Sequence, residues 1–256
     1  MSFLSLVSVE FKKIRRSKIL LILFAAVIIL WIPSILNADM NFNMQDIGIS
    51  PENNFLIQGF LGLSWFMFPG SMVVGTVLLS QTERSNKGIL KMLSMPINTA
   101  KLCMAKFIVL LSLSAVQILM TVGMYFISAA IATQTQNYDF MLDAFFVFKE
   151  AGFVFISSIP MIAFFWAISV CIQTPIFSIG IGLASLVPSV LMINTKVWFL
   201  YPMAYPFFVI SNEYSKLAES MTPNNINYIL FVGTAVAITA VCLIVSCIRF
   251  GKAERR

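Results

Sequence analysis

The stretch Lys12-Lys13-Ile14-Arg15-Arg16-Ser17-Lys18 runs straight into Ile19-Leu20-Leu21-Ile22-Leu23-Phe24-Ala25-Ala26-Val27-Ile28-Ile29-Leu30-Trp31-Ile32-Pro33-Ser34-Ile35-Leu36. The second part carries no charge, and Ser34 and the Trp31 indole supply its only polar side-chain atoms. A helix rises about 1.5 Å per residue, so a run of this length approaches the ~30 Å hydrocarbon core of a bilayer. In lipid every backbone N–H and C=O must be satisfied within the segment, which a helix achieves. The basic cluster marks the end that stays at the headgroups, Trp31 lies near the far end, and Pro33 closes the run. A cleaved signal peptide begins in the same way. The nearest cleavage pattern, Leu36-Asn37-Ala38, has Leu where a small residue is needed, so the segment reads as a retained anchor.

Outward from this anchor the composition stays the same. The chain is 59% hydrophobic and 11% charged, with a mean hydropathy of +0.90. Soluble domains run at about 45–50% apolar and about 25% charged. A water-soluble fold has too little surface tolerance for so much apolar side chain, whereas a bilayer removes the difficulty. Five further apolar runs fall at residues 58–80, 107–132, 152–172, 176–193 and 226–248, giving six spans with 19–36. Pro69, Pro160 and Pro188 sit inside the second, fourth and fifth of them, where a proline kinks the helix as a hinge or as a static packing feature. Residues 194–225 are mixed. Within them Val197–Ile210 is aromatic and broken by Pro202 and Pro206, too short to span and suited to an interfacial or re-entrant position.

Charge sets the expected direction. Of 17 Lys and Arg, five fall within residues 12–18, five within 81–106 and four after residue 248; only Lys149, Lys196 and Lys216 lie elsewhere. Glu10, Glu83 and Glu254 are the only acids that share the basic side. The positive-inside rule therefore places both termini and the 81–106 link in the cytoplasm, which an even number of spans requires. The same rule accounts for the net charge of +6 without nucleic acid. The expected fold is an all-α membrane protein forming a single domain over 1–256.

Residues 1–18 hold an amphipathic helix ahead of the first span. Phe3, Val7, Phe11 and Ile14 recur at helical spacing with Ser5, Ser8, Glu10 and Lys12 between them, a pattern suited to the headgroup layer.

Chemistry of its own is not visible. The chain has no His, and Cys103, Cys171, Cys242 and Cys247 offer neither a metal-ligand spacing nor a disulfide framework. No charge sits mid-span, which disfavours an ion-coupled carrier but leaves a secondary transporter of neutral substrate open. An intramembrane serine enzyme lacks a base, so Ser157 and Ser158 read as interhelical hydrogen bonders.

The link between spans two and three carries the functional signal. Gly88–Met95 reads as a short helix with Ile89, Met92 and Leu93 on one face and Lys87 and Lys91 on another. Pro96 stops it, and Asn98 or Thr99 can cap the helix that follows. A span ending in Glu83-Arg84, then Gly88, Leu93, Pro96 and Lys106, resembles the permeases of type-2 ATP-binding-cassette (ABC) exporters. The segment Glu10-Phe11-Lys12-Lys13-Ile14-Arg15-Arg16 is similar to that family's elbow helix, and Tyr201–Pro206 to its extracellular re-entrant piece.

The resemblance implies a permease of two six-span subunits, identical or homologous, and a separate cytosolic ABC ATPase. Glu83, Arg84, Gly88, Ile89, Met92, Leu93 and Pro96 would dock on that ATPase, with Glu10, Lys12, Arg15 and Arg16 in the elbow. The chain has no phosphate loop, and its one Gly-Lys, Gly251-Lys252, is followed by Ala253. ATP and Mg are therefore expected on the partner, and this chain binds no cofactor and is not an enzyme. Size and small external loops look most like the bacterial subgroup active in lantibiotic immunity and bacitracin resistance, which implies export of antimicrobial peptide or another amphipathic compound across the plasma membrane. The alternatives are a non-transporting scaffold or sensor subunit, or a secondary transporter of a neutral substrate.

Overall fold

A computed structural model describes residues 3–15, 18–84, 98–172, 174–222 and 227–253. Among the described residues all regular structure is helical. In chain order the elements are α1 (Phe3–Arg15), α2 (Ile19–Leu36), 3-10 turns over Ala38–Ile47, α3 (Pro51–Gly62), a π-helical segment (Leu63–Met67) and α4 (Phe68–Arg84). Then come α5 (Thr99–Gln136), α6 (Ala144–Cys171), α7 (Pro175–Ala184), α8 (Val187–Met192), 3-10 turns at Trp198–Leu200 and Pro202–Ala204, α9 (Tyr205–Leu217) and α10 (Tyr228–Ala253). Among the described residues, six helical runs are long and apolar enough to cross a membrane: Ile19–Leu36, Pro51–Gln81, Thr99–Gln136, Ala144–Cys171, Pro175–Met192 and Tyr228–Phe250.

The helical ends reach beyond the apolar runs because caps and charges extend them. Asn98 caps α5, its Oδ1 accepting from the Ala100 N–H at 2.9 Å, so the helix starts eight residues before the expected span. Asp143 caps α6 in the same way through the Phe146 N–H at 3.3 Å. The second span begins at Pro51, which takes a first-turn position where its missing N–H costs nothing.

Two prolines reshape their spans. Pro69 cannot donate to the carbonyl four residues back, and the helix widens just before it: the Phe68 N–H bonds to the Leu63 carbonyl, an i to i−5 contact. The fifth span, expected as one helix over 176–193, is two. α7 stops at Ala184, whose carbonyl the Pro188 ring would meet, and α8 restarts with that proline in its first turn.

The core sits where α2, α3 and α5 meet. Trp31 is fully buried, with ring centroids 5.8 Å from Phe55 and 5.7 Å from Tyr125. Gly59 permits this: a Cβ there would lie 2.5 Å from the Trp31 ring. A Cβ on Gly182 of α7 would lie 2.6 Å from the Val73 side chain of α4. Small residues let helix backbones approach, which is how membrane helices gain packing energy without a hydrophobic drive between them.

Contacts between distant segments fix the path. The Tyr125 hydroxyl donates to the Phe140 carbonyl and accepts from the Leu142 N–H, tying the far half of α5 to the loop before α6. At the other end Trp166 packs on Phe250 and the Cys247 thiol reaches the Ala100 carbonyl. The start of α5, the end of α6 and the end of α10 thus share one face of the bundle, and α1 joins them there through Lys106. Both described ends of the chain lie on the face that carries the ends of α4 and α5 flanking residues 85–97.

Candidate functional site

The face shared by the termini is built on a buried ion pair. The Lys106 ammonium, 1% exposed on α5, donates to Glu10 Oε2 on α1 at 2.8 Å, and Glu10 itself is fully buried. Lys13, one turn on from Glu10, reaches Oε1 at 2.5 Å from a more open position. Two charges taken out of water cost several kcal/mol each, so the pair persists only because both are matched by near-ideal geometry. It anchors α1 to α5 at a point seven residues after α5 begins.

This changes the reading of α1. The expected apolar face was Phe3, Val7, Phe11 and Ile14 with Glu10 on the polar side. The structure buries Leu6, Glu10 and Ile14, spaced four apart, against the bundle, while Leu4 and Phe11 are exposed. Lys106 draws the carboxylate inward, and the helix rotates so that Leu4 and Phe11 face outward, where lipid would meet them. Lys12 is exposed and Arg15 ends the helix; Arg16 lies outside the described residues.

Of the residues expected to dock on an ATPase, Glu83 and Arg84 form the last turn of α4. Gly88, Ile89, Met92, Leu93 and Pro96 lie outside the described residues. Directly behind α4 the inner ends of the spans are tied by polar contacts: Ser80 and Ser169 hydroxyls 2.6 Å apart, the Ser169 hydroxyl to the Thr76 carbonyl at 3.2 Å, and the Trp166 indole N–H to the Cys103 thiol at 3.4 Å. Further into the bundle Ser71 donates to Gln117 Oε1 at 2.7 Å. Ser157 and Ser158, expected to bond between helices, instead donate to the Val154 and Phe155 carbonyls of their own helix, the ordinary local option for a helical hydroxyl.

The opposite face is held by a second set. The Tyr138 hydroxyl donates to Glu52 Oε2 at 2.5 Å, and this bond pushes the phenol up to about 12. Asn54 donates to Asn41 Oδ1 at 2.7 Å. The aromatic segment 197–210 folds here as two tight turns leading into α9, with Trp198 stacked on Phe208 at 3.6 Å. Below it, α6, α9 and α10 enclose a cavity of about 630 Å³. Its lining is mostly apolar, and its charged side chains gather at one end, where Glu150, Asn212, Glu213 and Lys216 lie. Sequence reading passed over this cluster. Its one signal was a Lys149-Glu150 pair at the very start of an apolar run, which also fits a simple headgroup anchor.

A family model described as an ABC-2 family transporter protein matches residues 6–189, from α1 into α8. No curated protein and no solved structure matches the chain.

Proposed function

The chain belongs to the ABC-2 transporter family, whose members are membrane-spanning permeases worked by an ABC ATPase, and from that premise we propose that residues 83–96 receive the ATPase stroke and pass it to the spans through α5 and α1. The Glu10–Lys106 pair carries this reading. It fastens the elbow helix to the helix that the link feeds, so a push on the link moves α1 and α5 as one unit. An ion pair this buried does not slip, because separating it exposes uncompensated charge in a low-dielectric setting.

In the proposed arrangement both termini and the link face the cytoplasm, in accord with the 14 basic residues that the sequence groups on that side. Two such subunits form the pathway. ATP and Mg bind the partner ATPase alone, and the membrane is a bacterial plasma membrane. The exported compound is an antimicrobial peptide or a similar amphipathic molecule, and the role is self-immunity or resistance. The test of the stroke is Glu83→Ala or Gly88→Trp in cells challenged with a panel of antimicrobial peptides. Both variants insert normally and lose the protection that the unmodified chain confers. Full protection by both would overturn the coupling role. Equal sensitivity of cells with and without the chain across the whole panel would overturn the substrate class.

A further inference from the structure

The cavity between α6, α9 and α10 is chemically two-ended. One end is a wall of Phe153, Ile156, Phe208, Phe231 and Ala235 that runs along the spans. Val232 and Val236, which also line it, are 55% and 63% exposed, so the cavity opens sideways toward the bilayer rather than into the bundle. Its volume suits a ligand in the usual pocket range of about 300–1,000 Å³.

The other end is polar and holds an unsettled group. Glu150 is 1% exposed, yet neither of its carboxylate oxygens accepts a hydrogen bond. Lys149 forms an ion pair with Oε1 at 3.0 Å, and its ammonium also lies over the Phe146 and Phe153 rings at 5.2 and 5.8 Å. Glu213 is engaged with Lys216 at 2.8 Å, and both lysines keep 40% or more of their side chains exposed. A buried carboxylate short of donors is costly, and a ligand that brings them gains what the protein alone leaves unmade.

We propose that this cavity binds an aminophospholipid, with its primary ammonium on Glu150, its phosphodiester toward Lys216 and an acyl chain along the aromatic wall. Three observations select this occupant. The polar end lines the cavity with Glu150, Glu213 and Lys216, and Lys216 is already paired with Glu213, so a zwitterion with its cation on Glu150 matches it, whereas a net anion would set its phosphate against Glu150 and a net cation would leave Lys216 facing no anion. Glu150 Oε2 has no N–H donor, and a primary ammonium brings one where a quaternary ammonium does not. The lateral opening admits a molecule already in the bilayer. Glu150 and Tyr228, the start of α10, put the headgroup at the face opposite the termini. The site therefore reports on the composition of the far leaflet and is separate from the coupling face.

The experiment is native mass spectrometry of the full-length protein in detergent, titrated with dioctanoyl-phosphatidylethanolamine, dioctanoyl-phosphatidylcholine and dioctanoyl-phosphatidylglycerol. The ethanolamine lipid binds about tenfold more tightly than the choline lipid, a difference that one desolvated charge-assisted contact supplies. Glu150→Gln erases that preference, and Ala235→Trp abolishes binding of all three by filling the wall. Lys216→Ala, a change at an exposed side chain that folding tolerates, weakens the ethanolamine and choline lipids alike. Equal binding of the two zwitterionic lipids by the unmodified protein, a preference that survives Glu150→Gln, or tightest binding of the glycerol lipid would each overturn the proposal.

Discussion

Replacing Glu10 by Leu isolates the contact on which the coupling account rests. The carboxylate is fully buried and receives Lys106 at 2.8 Å and Lys13 at 2.5 Å. Its removal leaves the Lys106 ammonium, 1% exposed, without that counter-charge. Breaking a buried pair by deleting one partner costs about 3–5 kcal/mol, whereas replacing both partners by apolar residues is often neutral. Glu10→Leu therefore costs about 3–5 kcal/mol, Lys106→Met costs less because Lys13 still holds Glu10, and the double variant recovers at least half of the Glu10→Leu loss. At about 2–4 °C per kcal/mol for chains of this size, Glu10→Leu lowers the melting temperature by roughly 6–20 °C. Thermal unfolding of purified protein in one detergent, followed by circular dichroism, reads all three. The reasoning fails if Glu10→Leu melts with the unmodified protein, or if the double variant melts no higher than Glu10→Leu alone.

Three other outcomes follow from named contacts. Gly59→Ala puts a Cβ 2.5 Å from the rigid Trp31 ring, so it destabilises by about 1–3 kcal/mol in the same melting assay. Ser71→Ala removes the donor to Gln117 and costs about 0.6 kcal/mol, the average for hydrogen bonds between membrane helices, and at most about 1.7 kcal/mol. Tyr138 has its phenol raised above the ordinary value of 10.0 by its bond to Glu52, so the bond stabilises the fold below pH 10 and is lost as the pH rises toward about 12. The melting difference between the unmodified protein and Tyr138→Phe is accordingly constant from pH 7 to 9 and shrinks above pH 10.

Spans were legible because a bilayer imposes length and apolarity on each crossing independently of the rest of the chain. The run Ile19–Leu36 carries that signal alone, and α2 occupies the same residues. What was not legible depended on partners far away in sequence. Glu10 looks like the polar side of an amphipathic helix until Lys106, 96 residues on, is placed beside it. Pro188 looks like a kink within a span, and the structure makes it part of the first turn of a new helix, with the Tyr201 hydroxyl, 16 residues on in sequence, donating to the Ser185 carbonyl at the break. The cavity at Glu150 needed α9 and α10 to close around α6, a juxtaposition that no local pattern in any of the three announces. The proposed docking residues 88–96 fall in sequence between the last turn of α4 and the Asn98 cap of α5.

In the proposed mechanism a separate ATPase drives this permease through residues 83–96. Its most direct test is purification of the tagged chain from its native membranes in mild detergent, followed by ATP hydrolysis measured on the purified material. The account predicts that an ABC ATPase co-elutes in stoichiometric amount and that Gly88→Trp abolishes its retention or its stimulation by exported peptide. Elution of the chain without any ATPase, or an ATPase whose binding and stimulation are both indifferent to Gly88→Trp, would contradict it.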